Sequence, residues 1–351
     1  MQYNKGEWSE LYVLFKVFCD REIAAADKNL VATPEKYKFL EILRDEGEGE
    51  KIYNLETENV VNIIAPNGAL ISTIDIRDLP EKTKKIFDEI RINGGERSFC
   101  IPEAVALMSE YGLKKVKANS KKKSDIEATI LDKISSRRRL GFSIKSQAGG
   151  ASTLLNTSAQ TKFRYKVIGL DTDSVTEVNS VKRGKSLIKV IYEKGGCLEF
   201  ESMKGKVFDG NLRMIDTVLP NIMASMLLAY FMDEGSSIRD LCKIATANNQ
   251  YGLTEKDIDF KIKMFLRAIA LGMVPGEPWS SYLSSYGGYI IVKDSGELVC
   301  YHLYNDDEFK DYLFDNTKFD TPSTSRHDYC YIYEEDGQRY LDLNDQIRFT
   351  K

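Results

Sequence analysis

The sequence predicts an α/β (α+β) chain: a mixed β-sheet flanked by helices, with a mixed α/β C-terminal portion after it. Three observations predict this. Hydrophobic residues make up 42% of 351 positions, enough for a sizeable core. Stretches of helical period interleave with stretches of strict apolar–polar alternation. The last part of the chain carries two hairpin patterns with Gly-containing turns. The length suits roughly two or three structural units, or one large elaborated domain. No composition shift marks a boundary. The chain divides best into residues 1–205, a core with an N-terminal helix and insertions, and residues 206–351, packed on that core.

The elements follow in order. Residues 6–20 read as a helix, because Leu11, Val13, Leu14, Phe15, Val17 and Phe18 give a broad apolar face. Residues 39–76 read as short strands at 39–43, 52–55 and 60–64. Asp78-Leu79-Pro80-Glu81 starts a helix running through Ile90, with Pro80 in its first turn. A further helix covers 103–111, and 116–118 is a candidate strand. Residues 125–132 and 140–146 alternate and form a hairpin, joined by a polar, basic turn that includes Arg137, Arg138 and Arg139. A Gly-Gly loop at 148–151 leads to a strand at 163–168, and 186–192 reads as another strand. Residues 214–232 form a helix broken near its start by Pro220, and 258–271 another. The tail pairs 288–293 with 298–303, then 329–333 with 339–341. Its many tyrosines suit a β core.

Composition excludes several classes. No apolar run reaches the roughly 20 residues that span a bilayer, so no membrane association is expected. The N-terminus has no apolar h-region, so a cytoplasmic location is expected rather than secretion. Six scattered cysteines form no CxxC pair, which points to reduced thiols and against zinc. Only His302 and His327 are present, and neither GxSxG nor a P-loop occurs, which argues against histidine-based hydrolysis and NTP binding. The net charge of −4 argues mildly against nucleic acid. The distribution argues the other way. Lys114, Lys115, Lys117, Lys121, Lys122 and Lys123 precede Asp125, and the three arginines follow in the turn. Local positive potential draws phosphates even to a net acidic protein.

The chemistry concentrates in the hairpin. Adjacent strands bring Asp125 beside Lys145 at one end of the pair. A carboxylate holding a divalent ion, with a lysine that orients water and stabilises phosphate charge, is the makeup of a metal-dependent nuclease. One carboxylate binds magnesium weakly, so a second is required. Glu7 and Glu10 share a face of the first helix at i, i+3, although acids there also suit the helix dipole. Glu127, with the side-chain parity of Asp125, and Asp132, with the opposite one, are further candidates.

The segments 4–12 (Asn-Lys-Gly-Glu-Trp-Ser-Glu-Leu-Tyr), 141–146 (Gly-Phe-Ser-Ile-Lys-Ser), 153–156, 301–304, 325–327 and 346–349 together resemble the HpaII family of type II restriction endonucleases. The resemblance spreads from residue 4 to 349. It implies a PD-(D/E)XK nuclease core, Mg²⁺ dependence, and cleavage of double-stranded DNA to 5′-phosphate ends. Asp125 then matches the first acid and Lys145 the lysine. Ser143 stands where such nucleases generally have Glu or Asp, so a metal ligand is missing. Glu10 is the first choice to supply it and Glu7 the second, and the main-chain carbonyl of Ile144 is a further ligand. The family's namesake reads CCGG, so CCGG or a related short palindrome is the expected target. Cutting both strands of a palindrome implies a homodimer on DNA. A cognate DNA methyltransferase would act on the same sequence. Gln147, Asn156 and Gln160 are candidates for reading base edges, and Ser152, Thr153 and Lys162 for holding phosphates. Lys121, Lys122, Arg137, Arg138, Arg326 and His327 complete the expected DNA contacts. The rival expectations are a catalytically decayed sequence-specific DNA-binding protein, which the absent acid at Ser143 favours, and a nuclease for modified DNA.

Overall fold

The computed structural model describes residues 1–47, 49–116, 124–131, 137–149, 151–282, 285, 287–302 and 305–350. Asn4 caps α1 (Lys5–Asp20). Its side chain accepts the Glu7 N–H, and the Glu7 carboxylate accepts the Asn4 N–H. Five strands follow: β1 (Glu22–Ala26), β2 (Ala32–Asp45), β3 (Glu50–Asn54), β4 (Val60–Ile64) and β5 (Leu70–Asp75). Helices α2 (Leu79–Asn93) and α3 (Pro102–Glu110) each carry proline in the first turn, where its missing N–H costs nothing. Then come the hairpin strands β6 (Ile126–Leu131) and β7 (Arg137–Ser146), short β8 (Thr153–Leu155) and β9 (Lys162–Ile168). Next are α4 (Thr172–Ser180), α5 (Lys185–Glu193), β10 (Cys197–Met203), α6 (Lys206–Ile215), α7 (Leu219–Phe231), α8 (Ile238–Ala247) and α9 (Glu255–Ala270). The chain ends with β11 (Gly288–Val292), β12 (Leu298–Tyr301), α10 (Asp306–Asp315), β13 (Thr317–Phe319), α11 (Thr324–His327), β14 (Ile332–Glu335), β15 (Gln338–Asn344) and β16 (Ile347–Phe349).

The largest sheet has nine strands in the order β1-β12-β11-β7-β6-β2-β3-β4-β5. β2 is long enough to pair twice. Its first half pairs with β1 and its second with β6 and β3, and a bulge sits between Phe39 and Glu41 in the β6 pairing. The hydrogen-bonding ring β1-β12-β11-β7-β6-β2 therefore closes on itself. β10-β9-β15-β14 and β13-β16-β8 form two smaller sheets. Strands from before and after residue 205 share every sheet, since β11 lies beside β7 and β15 beside β9.

Two cores result. One packs α1, α2 and α3 on Phe39, Ile126, Phe142, Ile144, Ile290 and Cys300. Here Phe18 is fully buried and lies against Tyr53 and Tyr111 at 5.5 and 5.4 Å between ring centres. Truncating a buried aromatic to alanine costs about 3–5 kcal/mol. The other core joins the opposite face of β11 and β12 (Tyr289, Ile291, Val299, Tyr301) to α5–α10 and the smaller sheets.

Three sequence expectations are corrected. Residues 186–192 are helical, not a strand. Leu187, Ile188 and Ile191 are fully buried, and their i, i+1, i+4 spacing makes one helical face. Arg137, Arg138 and Arg139 are not in the turn; they belong to β7 and pair with Leu131, Ile130 and Thr129. The helix expected at 214–232 is two helices, α6 and α7, bent by 110° at 216–218, with Pro220 in the first turn of α7. Val116 lies in a bend, while 117 and 118 fall outside the described residues. Among the described residues no single helix is long and apolar enough to cross a membrane. The cysteines are all free. Tyr289, Tyr301, Tyr312 and Tyr329 are buried, as a β core requires, whereas Tyr282 is exposed.

Candidate active site

The β6–β7 register pairs Ile126 with Phe142, and the Asp125 N–H leaves it by one residue, donating to the Phe142 carbonyl at 2.9 Å. There the ladder stops. Alternation along an antiparallel pair turns the N–H and C=O of Phe142 and Ile144 toward β6, and those of Gly141 and Ser143 toward β11. Gly141 confirms it by accepting the Gly287 N–H at 2.7 Å on the β11 side. Ile144 has no β6 residue opposite it in the ladder. Instead its N–H donates to Oδ2 of Asp125 at 2.8 Å. The Ile144 carbonyl points out of the same open strand edge as its N–H. A carboxylate and a main-chain carbonyl thus meet where β6 departs.

Lys145 follows at once on β7. It shares a face with Ser143, opposite the face of Phe142 and Ile144. It is half-buried, and among the described residues its ammonium makes no hydrogen bond or ion pair. Ser143 is only 8% exposed, and its hydroxyl lies 2.8 Å from that of Ser285. No sequence signal announced Ser285; the contact spans 142 residues.

α1 packs along β7. Its first residue, Lys5, lies against Gly149, just beyond β7. At its far end the Arg21 carbonyl accepts the Phe39 N–H, and Phe39 is joined through Ile130 to Arg138. The helix therefore runs opposite to β7. Five residues of helix rise about 7.5 Å, or roughly two residues of strand. Counted back from Gly149, this sets Glu10 level with about Gln147, at the Lys145 end of β7 and on its Ile144 face. Glu10 is half-buried, with Oε2 shielded from solvent. Glu7 is engaged at the helix cap through Asn4. Glu127 is bound by Arg139 at 2.6 Å, and Asp132 lies outside the described residues. Among the described residues no group of three or more His, Cys, Asp or Glu side chains forms a metal-ligand cluster. Any ion at this edge would have few protein ligands.

The other end of the hairpin is electrically different. Arg137 forms a two-pronged pair with Glu56, at 3.1 and 2.6 Å. Arg139 does the same with Glu50 and also binds Glu127. Those hydrogen bonds, Glu50 first, hold the Arg139 guanidinium above its ordinary pKa against the opposing effect of burial. Arg137 lies eight positions from Lys145, about 26 Å along an extended strand.

The model of the HpaII restriction endonuclease family matches residues 4–349. The chain belongs to that family. It is 38% identical to the type II restriction enzyme HpaII of Haemophilus parainfluenzae over 351 residues, covering 99% of this chain and 98% of that one. No solved structure matches.

The residues expected to meet DNA in this family member fall in three places. Gln147, Ser152, Thr153, Asn156 and Gln160 occupy the segment after β7, beyond the Lys145 end. Gln147 donates its N–H to the Val292 carbonyl, and the Ser152 hydroxyl donates to the Ser146 carbonyl at 2.9 Å, so both are tied to the site strands. Thr153 pairs with Arg348 in the small sheet, and Asn156 is exposed. The Gln160 side-chain oxygen is buried. Lys162, Arg326 and His327 form a second group. Lys162 donates to the Asp328 carbonyl at 2.7 Å. Burial, then the charges of Arg326 and Lys162, holds His327 below the usual histidine range. Arg137 and Arg138 stand apart at the acid-paired end. Lys121 and Lys122 lie outside the described residues.

Proposed function

We propose that this chain, a restriction endonuclease of the HpaII family, hydrolyses phosphodiester bonds of double-stranded DNA with Mg²⁺ at the open end of the β6–β7 hairpin. The observation that carries the proposal is the Asp125 carboxylate fixed on the Ile144 N–H, one residue from Lys145, whose ammonium has no partner among the described residues. The donors fit the ion. Asp125 and the Ile144 carbonyl offer hard oxygen atoms at one strand edge, and Mg²⁺ is commonly held by one or two carboxylates with waters and phosphate oxygens. Glu10 reaches the same edge from α1 as the second acid, while Glu7 serves the cap. A divalent ion held there by Asp125, Glu10 and the Ile144 carbonyl would supply charge to polarise the scissile phosphate and to acidify a bound water.

The chain's own groups do the rest. The Ile144 N–H holds one Asp125 oxygen in place. Lys145, with no competing partner among the described residues, places a positive charge where the pentavalent phosphorane accumulates negative charge and holds the attacking water by hydrogen bond. The products are 5′-phosphate and 3′-hydroxyl ends. The β6–β7 unit with α1 is the PD-(D/E)XK core, with Ser143 in place of its second acid. Residues 206–351 add DNA contacts through Arg326 and His327. Two copies act on a palindrome, CCGG or a close variant, inside a prokaryotic cell whose methyltransferase protects the same sequence.

The test is digestion of unmethylated phage DNA with and without Mg²⁺. Discrete fragments that require the ion support the reading, and their ends give the site. Intact DNA together with a retarded band on a gel would favour a binding protein that has lost cleavage. Cutting confined to methylated substrate would favour the modified-DNA reading.

A further inference from the structure

The missing acid at Ser143 leaves a gap in the site's chemistry, and β11 bears on it. β11 pairs with β7 in parallel, and the register sets Tyr289 directly beside Ser143. Paired neighbours project from the same face of a sheet. Ser285, just before β11, brings its hydroxyl to 2.8 Å from that of Ser143, and both serines are buried. Gly287 and Gly288 make this approach possible. A Cβ on Gly287 would lie 2.6 Å from the Phe142 ring, and one on Gly288 would strike the Tyr301 carbonyl. Tyr289 is fully buried between the site and Phe309, whose ring centre lies 5.0 Å away. Its hydroxyl is shielded from solvent and, among the described residues, has no hydrogen-bond partner. Burial first, then Tyr312 and Asp125, keeps the phenol protonated.

A buried hydroxyl without a partner costs stability, so its retention calls for a partner that arrives with the ligand. The two serines donate one hydrogen to each other and leave the second donor available. We propose that Ser143, Ser285 and Tyr289 form a hydroxyl cradle that holds a water of the metal's hydration shell, in place of the direct carboxylate ligand that Ser143 has lost. Neutral hydroxyls are poor ligands for Mg²⁺ but good partners for its waters, and the ion gives up those waters reluctantly. Ser285 and Tyr289 are positioning residues: they orient a water bound to the ion without touching the scissile phosphate. The inference rests on the metal-dependent reading of Asp125 and Lys145.

The experiment compares full-length wild type with Tyr289→Phe, Ser285→Ala and Lys145→Ala. The readouts are thermal melting without metal, Mn²⁺ affinity by electron paramagnetic resonance, and cleavage rate against Mg²⁺ concentration. Tyr289→Phe removes only the orphaned hydroxyl. Its metal-free melting temperature should equal or exceed that of wild type, while Mn²⁺ affinity falls and the Mg²⁺ needed for half-maximal cleavage rises by about 10- to 100-fold. Ser285→Ala should shift the metal dependence in the same direction. A merely structural tyrosine would lower melting and leave the Mg²⁺ dependence unmoved. If wild type cuts, Lys145→Ala does not, and both hydroxyl variants keep wild-type affinity and Mg²⁺ dependence, the cradle is refuted and the site stands. If wild type shows no Mg²⁺-dependent cutting, the underlying reading falls first.

Discussion

The two ends of the β6–β7 hairpin carry similar charges in sequence and opposite electrostatics in space. At one end Asp125, Ile144 and Lys145 gather where the ladder opens, and Lys145 has no ion-pair partner among the described residues. At the other, Arg137 and Arg139 are pinned by Glu56, Glu50 and Glu127. A cation already paired with carboxylates has little positive potential left for DNA phosphate. The comparison teaches that a basic run is a phosphate site only if the fold does not supply its counter-ions. The sharpest way to break it is Lys145→Ala against Arg137→Ala. Lys145→Ala should lower the single-turnover cleavage rate by about 10²–10³-fold or more.

The next largest effect separates the two glutamates of α1. Glu10→Gln should raise the Mg²⁺ needed for half-maximal cleavage by about 10- to 100-fold with little change in melting. Glu7→Gln should do the reverse, lowering stability by up to about 1 kcal/mol through the weakened capping box and leaving metal dependence alone. Equal behaviour of the two variants would remove Glu10 from the site.

A third effect concerns the segment that leaves the open end. It rests on Asp345, whose carbonyl accepts the Thr157 hydroxyl at 2.9 Å. Both Asp345 carboxyl oxygens are buried and, among the described residues, lack hydrogen-bond partners; burial pushes this carboxyl up to about 8. Its pKa in the unfolded chain is about 3.9. The folded state therefore holds a proton that the unfolded state releases. This group's contribution is full below about pH 4 and declines as pH rises through about 8. Asp345→Asn should raise the urea midpoint at pH 8 far more than at pH 4.5. An equal shift at both would show that the carboxyl is not held protonated.

The smallest effect is expected at the acid-paired end. Arg137→Ala removes an exposed pair worth about 0–1 kcal/mol. Its cleavage rate and the salt dependence of its DNA affinity should match wild type. A reduced salt slope would make Arg137 a phosphate contact after all.

Much of the site was legible in the sequence, and the reasons are specific. Alternation around Asp125 and Lys145 set the hairpin, because half-buried strands repeat every two residues. α1 was legible from its wide apolar face, and α2 from a proline placed to start it. α5 was misread because Leu187-Ile188 and Ile191 satisfy a strand run and a helical face equally over so short a span. Glu56 and Glu50, which with the nearby Glu127 quench Arg137 and Arg139, lie 81 and 89 residues away, beyond any local pattern. Ser285 and Tyr289 reach Ser143 only through the parallel pairing of β11 with β7, which the tail's own hairpin pattern does not reveal.

The proposed place of the metal is the open end of the hairpin. Iron-directed backbone cleavage tests it without reference to enzymatic activity: Fe²⁺ replaces Mg²⁺, ascorbate and peroxide are added, and the fragments are mapped by mass spectrometry. Cuts are expected beside Asp125, at Ile144–Lys145 and near Glu10, all suppressed by excess Mg²⁺. Mg²⁺-sensitive cuts clustered instead around Glu50, Glu127 and Arg139 would contradict it.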